Sequence, residues 1–212
     1  EGGESSLDPF AFERLVTEWS DEERVELATR RRGYDYALVT HFQEHEAGTD
    51  VLGEKNFLRY QPARVALVVG PGELTRTEEL DFVSSWTALV RSGGESALFV
   101  HVSSSLVARA GAPQGSVARY TNASELAARL VELGFERARF FAEEIPQELR
   151  ASAVHVVEDD VAADGRLELR HYFLEQAVSV SYHRAGNLSA GSLRTRGDGA
   201  ESRGGASSRR RR

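Results

Sequence analysis

Residues 54–70 read EKNFLRYQPARVALVVG, and they carry the strongest structural signal in the chain. The second half, Arg64–Gly70, is a short unbroken apolar run that is rich in β-branched residues and closed by Gly-Pro-Gly. A run of this length between turn residues predicts a strand buried on both faces, as in a parallel sheet covered by helices. Asn56–Tyr60 is also extended, and Pro62 prevents it from continuing into the same central strand.

The sequence beyond this stretch alternates between strand and helix patterns. Further strands are predicted at Ala97–Val102, Val117–Tyr120, Arg137–Phe141 and Val154–Val157. Helices are predicted at Thr77–Arg91, Ser124–Leu133, Pro146–Ala153 and Gly165–Phe173. Ser124 is the predicted cap of the second of these helices, and Gly134 lies just past its end. A loop or short turn is predicted at Leu106–Gly115. This alternation predicts an α/β fold, an open and mostly parallel Rossmann-like sheet with helices on both faces.

The N-terminal part reads as a helical arm. Asp8-Pro9 is a helix-start signature for a short helix to Trp19, and Ser20 with Glu23 forms a capping box that opens a longer helix to His45. Gly33 predicts a kink or break in that longer helix, because glycine is a poor helix former.

These patterns divide the chain into five parts. We expect disorder at 1–7, a helical arm at 8–50, an α/β domain at 51–175, a β-flap at 176–188 and a disordered Arg/Gly/Ser-rich tail at 189–212.

Composition excludes several classes of function. The net charge of −7 argues against a nucleic-acid binder, and the absence of cysteine excludes disulfides, a thiolate nucleophile and Cys-ligated metals. No apolar run approaches the ~18 residues of a membrane span and no signal peptide is recognisable, so we expect a cytoplasmic protein. The chain begins with Glu1 and contains no methionine, so we expect it to be a segment of a longer protein.

Gly70-Pro71-Gly72 lies between a predicted strand and a predicted helix, where dinucleotide-binding loops are found. The fingerprint G-x-G-x-x-G is not completed, because Thr75 and Arg76 occupy the region of the third glycine. Pro71 also lacks a backbone N–H that could face a phosphate. A plain chain reversal is therefore favoured over nucleotide binding.

His41–His45 matches H-x-x-E-H, the inverted zincin pattern. Two histidines four apart on a helix share a face and could bind Zn²⁺, with Glu44 as general base. A third ligand would have to come from Glu78 or Glu79, so a solvated helix end without metal is favoured over a metallopeptidase.

Glu158-Asp159-Asp160 follows a predicted strand, at the end of the sheet where α/β proteins place their sites. Adjacent carboxylates could bind Mg²⁺, but an acidic solvated loop is the more common outcome.

Two stretches resemble a known family. Gly53–Pro62 (GEKNFLRYQP) resembles the E-x-N-x-x-R-Y-x-P segment of actinobacterial-type proline utilization A enzymes, and Leu174–Leu188 (LEQAVSVSYHRAGNL) resembles that family's R-E-Q-A-V-S-x-x-x-H-R-Y-G-N segment. The order of the two segments and the intervening α/β pattern extend the resemblance over about residues 35–188. Leu174 replaces an arginine of the family pattern, and Ala185 replaces an aromatic residue.

The resemblance implies a role without catalysis. Members of the family are bifunctional, with an FAD-dependent proline dehydrogenase followed by an NAD-dependent L-glutamate γ-semialdehyde dehydrogenase. The region resembled here follows the dehydrogenase core and is an aldehyde-dehydrogenase-like domain without catalytic residues, ending in a β-flap. Aldehyde oxidation in the family requires a cysteine, and this chain has none, so we expect no catalytic residue, no bound cofactor and no metal here. The alternative is a stand-alone Rossmann-like module that binds a nucleotide or another protein.

Ala177–Tyr182 alternates in a way that predicts an exposed strand. Val178, Val180 and Tyr182 share one face, and few sequence neighbours are available to cover it. We expect this flap to dock onto the dehydrogenase core of the same polypeptide or onto a second subunit. The alternative is that it pairs at the edge of its own sheet.

Overall fold

The computed structural model describes residues 12–46, 54–110, 117–142 and 144–181. The helices are α1 (Glu13–Thr17), α2 (Asp21–Thr40), α3 (Arg76–Ser92), α4 (Leu106–Ala110), α5 (Ala123–Glu132), α6 (Gln147–Arg150) and α7 (Gly165–Leu169). The strands are β1 (His45–Glu46), β2 (Glu54–Pro62), β3 (Val65–Val69), β4 (Ser96–His101), β5 (Val117–Tyr120), β6 (Arg137–Phe141), β7 (His155–Val157) and β8 (Phe173–Ser181).

Five strands form a parallel sheet in the order β5-β4-β3-β6-β7. All five residues of β3 are buried, which confirms that the apolar run is the central strand. Strands β4 and β5 extend the sheet on one side of β3, and the chain then returns to add β6 and β7 on the other side. The predicted α/β class with a mostly parallel sheet is therefore confirmed.

Two apolar clusters cover the two faces of this sheet. On one face, Val65, Leu67 and Val69 contribute to a cluster shared with α1, α2, α3 and α7. On the other face, Ala66 and Val68 pack in a cluster with α5 and α6. Successive side chains of a strand point to opposite faces, so a strand covered by helices on both sides is apolar at every position.

The N-terminal helices belong to the first of these clusters. Phe12, Leu15, Trp19 and Tyr34 are all buried there, and Phe12 makes edge contacts with aromatic rings of α3. The capping box at the start of α2 is confirmed by the two reciprocal Ser20 and Glu23 bonds. The helix-start signature at 8–9 lies outside the described residues.

Helix α2 is continuous through Gly33, so the predicted break does not occur. A Cβ at Gly33 would lie 3.0 Å from the carbonyl oxygen of Ala163, and one at Gly165 would lie 2.2 Å from the carbonyl oxygen of Gly33. The two glycines allow the backbones of α2 and α7 to meet, which is why glycine is tolerated inside the helix.

Several predicted boundaries were wrong. Helix α2 ends at Thr40 rather than at His45, and α7 ends at Leu169, after which the chain turns into β8. Asn122, and not Ser124, caps α5 by accepting a bond from the Glu125 N–H. The stretch starting at Leu106 forms the short helix α4.

A second sheet is antiparallel and has the order β1-β2-β8. Strands β2 and β8 pair over nine residues, from Glu54 opposite Ser181 to Pro62 opposite Phe173. We call this pair the ribbon. Pro62 ends β2 as predicted, and Ala63 and Arg64 lead into β3 of the other sheet.

The proposed division into domains stays a prediction. Both expected disordered segments, 1–7 and 189–212, lie outside the described residues, as does most of the flap at 176–188. Among the described helices, none has the length and apolar character needed to cross a membrane.

Candidate interaction surface and the cleft of the parallel sheet

The ribbon brings the two resembling segments together, although more than 110 residues separate them in sequence. Arg59 lies opposite Gln176, and its Nε donates to the Gln176 side-chain oxygen at 2.9 Å. Tyr60 lies opposite Glu175, and its hydroxyl donates to that carboxylate at 3.1 Å. Burial, and then the bond to Glu175, raises the pKa of Tyr60, so the hydroxyl keeps its proton and remains a donor.

Aromatic side chains anchor the end of the ribbon that joins the parallel sheet. The ring of Phe173, the first residue of β8, stacks on Phe42 with centroids 4.9 Å apart. Tyr60 contacts the same Phe42 ring at 5.0 Å in an edge arrangement. This end of the ribbon is therefore packed, and the far end, towards Ser181, is more exposed.

The predicted flap residues lie at that far end. Val178 is partly buried opposite Phe57, whereas Val180 lies opposite Lys55 and is 38% exposed. Tyr182 lies outside the described residues. Strand β8 is the last strand of its sheet, so within the described part of the chain its other edge pairs with no strand. The described part of the flap, residues 176–181, is thus held to β2 along one edge, and docking along the other edge stays a prediction.

A cleft of about 630 Å³ opens at the carboxyl ends of β6 and β7, beside the first turns of α3. Strand order reverses next to this cleft, between β3 and β6, and open α/β sheets bind ligands at such a reversal. The carboxylates that line the cleft outnumber its arginines: Glu78, Asp81, Glu144, Glu158, Asp159 and Asp160 against Arg139 and Arg150.

Half of these acidic groups form ion pairs with arginines. Glu158 pairs with Arg150 at 2.7 Å, and Asp159 pairs with Arg170 at 2.8 Å. Asp81 accepts from Arg30 of α2 at 2.7 Å. The predicted acidic loop does lie at the carboxyl end of a strand, and its ion pairs explain what holds it there.

The Gly70–Gly72 turn is shaped by packing. A Cβ at Gly70 would lie 2.4 Å from the Cβ of Ala142, so glycine is required for the contact between the ends of β3 and β6. The start of α3 is already capped, because Thr75 accepts from the Glu78 N–H and Glu78 accepts from the Thr75 N–H. A carboxylate thus occupies the helix N-terminus that a phosphate would need, which disfavours a nucleotide at this turn.

His41 and His45 do not share a helix face. The helix ends at Thr40, and His45 belongs to strand β1, where it pairs opposite Leu58. Pairing with β2 competes successfully with helix continuation, so the spacing of the motif no longer places both rings on one side. In the described part of the chain, no group of three or more His, Asp or Glu side chains is arranged to hold a metal ion.

One buried cluster was missed from the sequence. Glu168 of α7 is fully buried and accepts from Arg139 of β6 at 2.6 Å and from the hydroxyl of Tyr172 at 2.9 Å. The available signal was Arg139 itself, a charged residue in the middle of a strand predicted to be covered on both faces. A buried charge requires a partner, but sequence spacing does not reveal which one.

Comparison with known proteins adds to this description. No known protein-family profile matches the sequence, and no curated protein matches it. Among solved structures, proline utilization A from Corynebacterium freiburgense matches 87% of this chain and 16% of its own, with 23% sequence identity and a TM-score of 0.50. This chain has the fold of one segment of proline utilization A. The predicted resemblance is therefore confirmed at the level of fold.

Two aldehyde dehydrogenases match with lower scores. The NAD-dependent benzaldehyde dehydrogenase from Corynebacterium glutamicum has 12% identity over 69% of this chain and 35% of its own, with a TM-score of 0.39. An aldehyde dehydrogenase from Brucella melitensis biovar abortus has 14% identity over 56% of this chain and 26% of its own, with a TM-score of 0.37.

Proposed function

We propose that this chain is a non-catalytic structural domain of a bifunctional enzyme that oxidises proline to glutamate through pyrroline-5-carboxylate. The observation that carries the proposal is the ribbon. The two segments that resemble proline utilization A were identified separately in the sequence, and they are antiparallel partners in register over Glu54–Pro62 and Phe173–Ser181.

The residues present support a role in packing. The chain has no cysteine to attack an aldehyde, and the cleft at the carboxyl ends of β6 and β7 is acidic, with a capped helix beside it. Substrate oxidation and the FAD and NAD sites would therefore belong to other parts of the polypeptide. A stand-alone nucleotide-binding module is the less favoured reading for the same reasons.

The proposed docking element is the edge of β8 that has no strand partner within the described residues. An unpaired edge strand presents N–H and C=O groups that can extend into another sheet, and Val180 adds exposed apolar surface beside it. The partner would be the aldehyde dehydrogenase core of the same polypeptide or of a second subunit.

The test uses Val180→Asp in the full-length enzyme, with Val39→Asp as the matched control. Val39 is 68% exposed on α2, so the control adds the same charge at another exposed valine, outside β2 and β8. Burial of an apolar side chain contributes about 1.5–3 kcal/mol, so Val180→Asp should weaken docking about tenfold or more. Sedimentation velocity and NAD-dependent oxidation of glutamate γ-semialdehyde are the measurements.

Two outcomes support the proposal and identify the partner. A smaller oligomer points to a second subunit, and an unchanged oligomer with reduced activity points to the core of the same polypeptide. If Val180→Asp matches the parent in both measurements, the flap role is wrong.

A further inference from the structure

Glu168 connects four separate parts of the chain. Its Oε1 accepts from Arg139 of β6 and from the Tyr172 hydroxyl, and it lies 3.5 Å from the Ser85 hydroxyl of α3. Its Oε2 accepts from the Ala162 N–H at 2.9 Å. Both oxygens of this fully buried carboxylate are therefore bonded, which a carboxylate inside a protein requires.

Tyr172 links this carboxylate to the ribbon. It immediately precedes β8, and its carbonyl oxygen accepts from the Ala63 N–H at 2.9 Å, just after β2 ends. The chain crosses between the two sheets at these two places, 63–64 and 170–172. Tyr172 therefore bonds through its backbone to one crossing and through its hydroxyl to Glu168.

Further bonds hold the second crossing against the parallel sheet. Arg137 of β6 donates to the Arg170 carbonyl oxygen at 2.7 Å. Arg139 donates to the carbonyl oxygen of Asp159 at 3.2 Å, and the Asp159 carboxylate pairs with Arg170. Alternate residues of β6 thus reach the segment from which β8 begins.

A buried ion pair is weak evidence for stability, because desolvation offsets most of its attraction. The hydrogen bonds made to this ion pair are directional, however, whereas apolar contacts are not, so the hydrogen bonds can define an orientation. Burial, and then the nearby Glu168, raises the pKa of Tyr172, so its hydroxyl remains a donor across the physiological range.

We propose that Glu168 is a positioning residue that, through Arg139 and Tyr172, sets the orientation of the ribbon relative to the parallel sheet. The effect of this orientation on assembly rests on the docking role proposed above. The contacts that set the orientation all lie within this chain, so the measurement is made on this chain.

The absence of cysteine permits a direct measurement. Spin labels on Ser179→Cys of β8 and Glu132→Cys of α5, both exposed positions, report by pulsed electron resonance the distance between the ribbon and a helix packed on the parallel sheet. In the parent chain we expect one narrow distance distribution. Tyr172→Phe, which removes only the hydroxyl, should broaden it about twofold or add a second distance, since a loosened hinge samples more orientations.

Tyr120→Phe is the matched control. The Tyr120 hydroxyl is also buried and donates to the Val69 carbonyl oxygen at 3.1 Å, but it lies within the parallel sheet. Tyr120→Phe should lower thermal stability to a similar extent as Tyr172→Phe and leave the distance distribution unchanged. Glu168→Gln, which keeps the shape and removes the charge, should broaden the distribution as Tyr172→Phe does.

The proposal is overturned if Tyr172→Phe leaves the distribution as narrow as in the parent, or if Tyr120→Phe broadens it equally. A broadened distribution together with an unaffected Val180→Asp enzyme would leave the positioning role in place and reject the docking role.

Discussion

His171 immediately precedes Tyr172, and charged side chains face it from several elements. Burial, and then the charges of Arg139 and Arg170, lowers its pKa to about 4, against the weaker opposite effect of Asp159. The folded protein therefore holds this imidazole neutral at pH values where the unfolded chain would protonate it. Unfolding takes up a proton between about pH 4 and pH 6.5, so stability rises with pH in this window and is lost as pH falls through it.

His171→Gln should reduce this pH dependence. Below pH 6.5 the free energy of unfolding of the parent should fall more steeply than that of the variant, by at most about 1.4 kcal/mol per pH unit. Urea unfolding at pH 7.5, 6.0 and 5.0 measures the difference between the two proteins. Parallel curves for parent and variant would contradict the assigned environment of His171.

The contact between α2 and α7 depends on two glycines that face each other. A Cβ on Gly165 would lie only 2.2 Å from the Gly33 carbonyl oxygen, so a side chain at position 165 would require the two helices to move apart. Tyr34 reinforces the contact, because its hydroxyl donates to the Ala162 carbonyl oxygen at 3.1 Å. The position of α7 in turn determines where Glu168 and the start of β8 lie.

Gly165→Ala should destabilise the chain by about 1–3 kcal/mol, because the added methyl group meets backbone that cannot rotate away. Arg166→Ala, at the next and exposed position of the same helix, should change stability by less than about 0.5 kcal/mol. Thermal and denaturant unfolding measure both. Equal stabilities of Gly165→Ala and the parent would show that the helices can separate without cost.

At the scale of the whole molecule, the similarity to proline utilization A is one of fold. The cleft at the ends of β6 and β7 lies beside the position where open α/β sheets bind ligands, yet carboxylates line it. Ala142 fills the space beside Gly70. An anionic pyrophosphate placed there would be repelled by the acidic groups that the arginines leave uncompensated.

The isolated chain should therefore neither bind NAD⁺ nor reduce it with pyrroline-5-carboxylate. Calorimetric titration with NAD⁺ and absorbance at the wavelength of NADH are the measurements, with an active aldehyde dehydrogenase as the positive control. Saturable heat, or turnover above the blank without protein, would overturn this expectation and favour the nucleotide-binding alternative.

The sequence by itself determined the elements that depend on local composition. The Val65–Val69 run, the Ser20 capping box and the stop at Pro62 were all predicted, because burial on both faces, capping and the missing proline N–H leave local signatures. The α/β class followed from the alternation of these elements.

Only the tertiary structure decided which distant segments meet. His45 lies in a strand and not in a helix, because it pairs with β2. Gly33 is a point of contact between two helices and not a break. Arg139 binds Glu168, which lies 29 residues away on a helix. The ribbon likewise joined two segments whose pairing with each other leaves no local signal. Pairing between strands and between buried charges depends on proximity in space, which spacing along one chain does not encode.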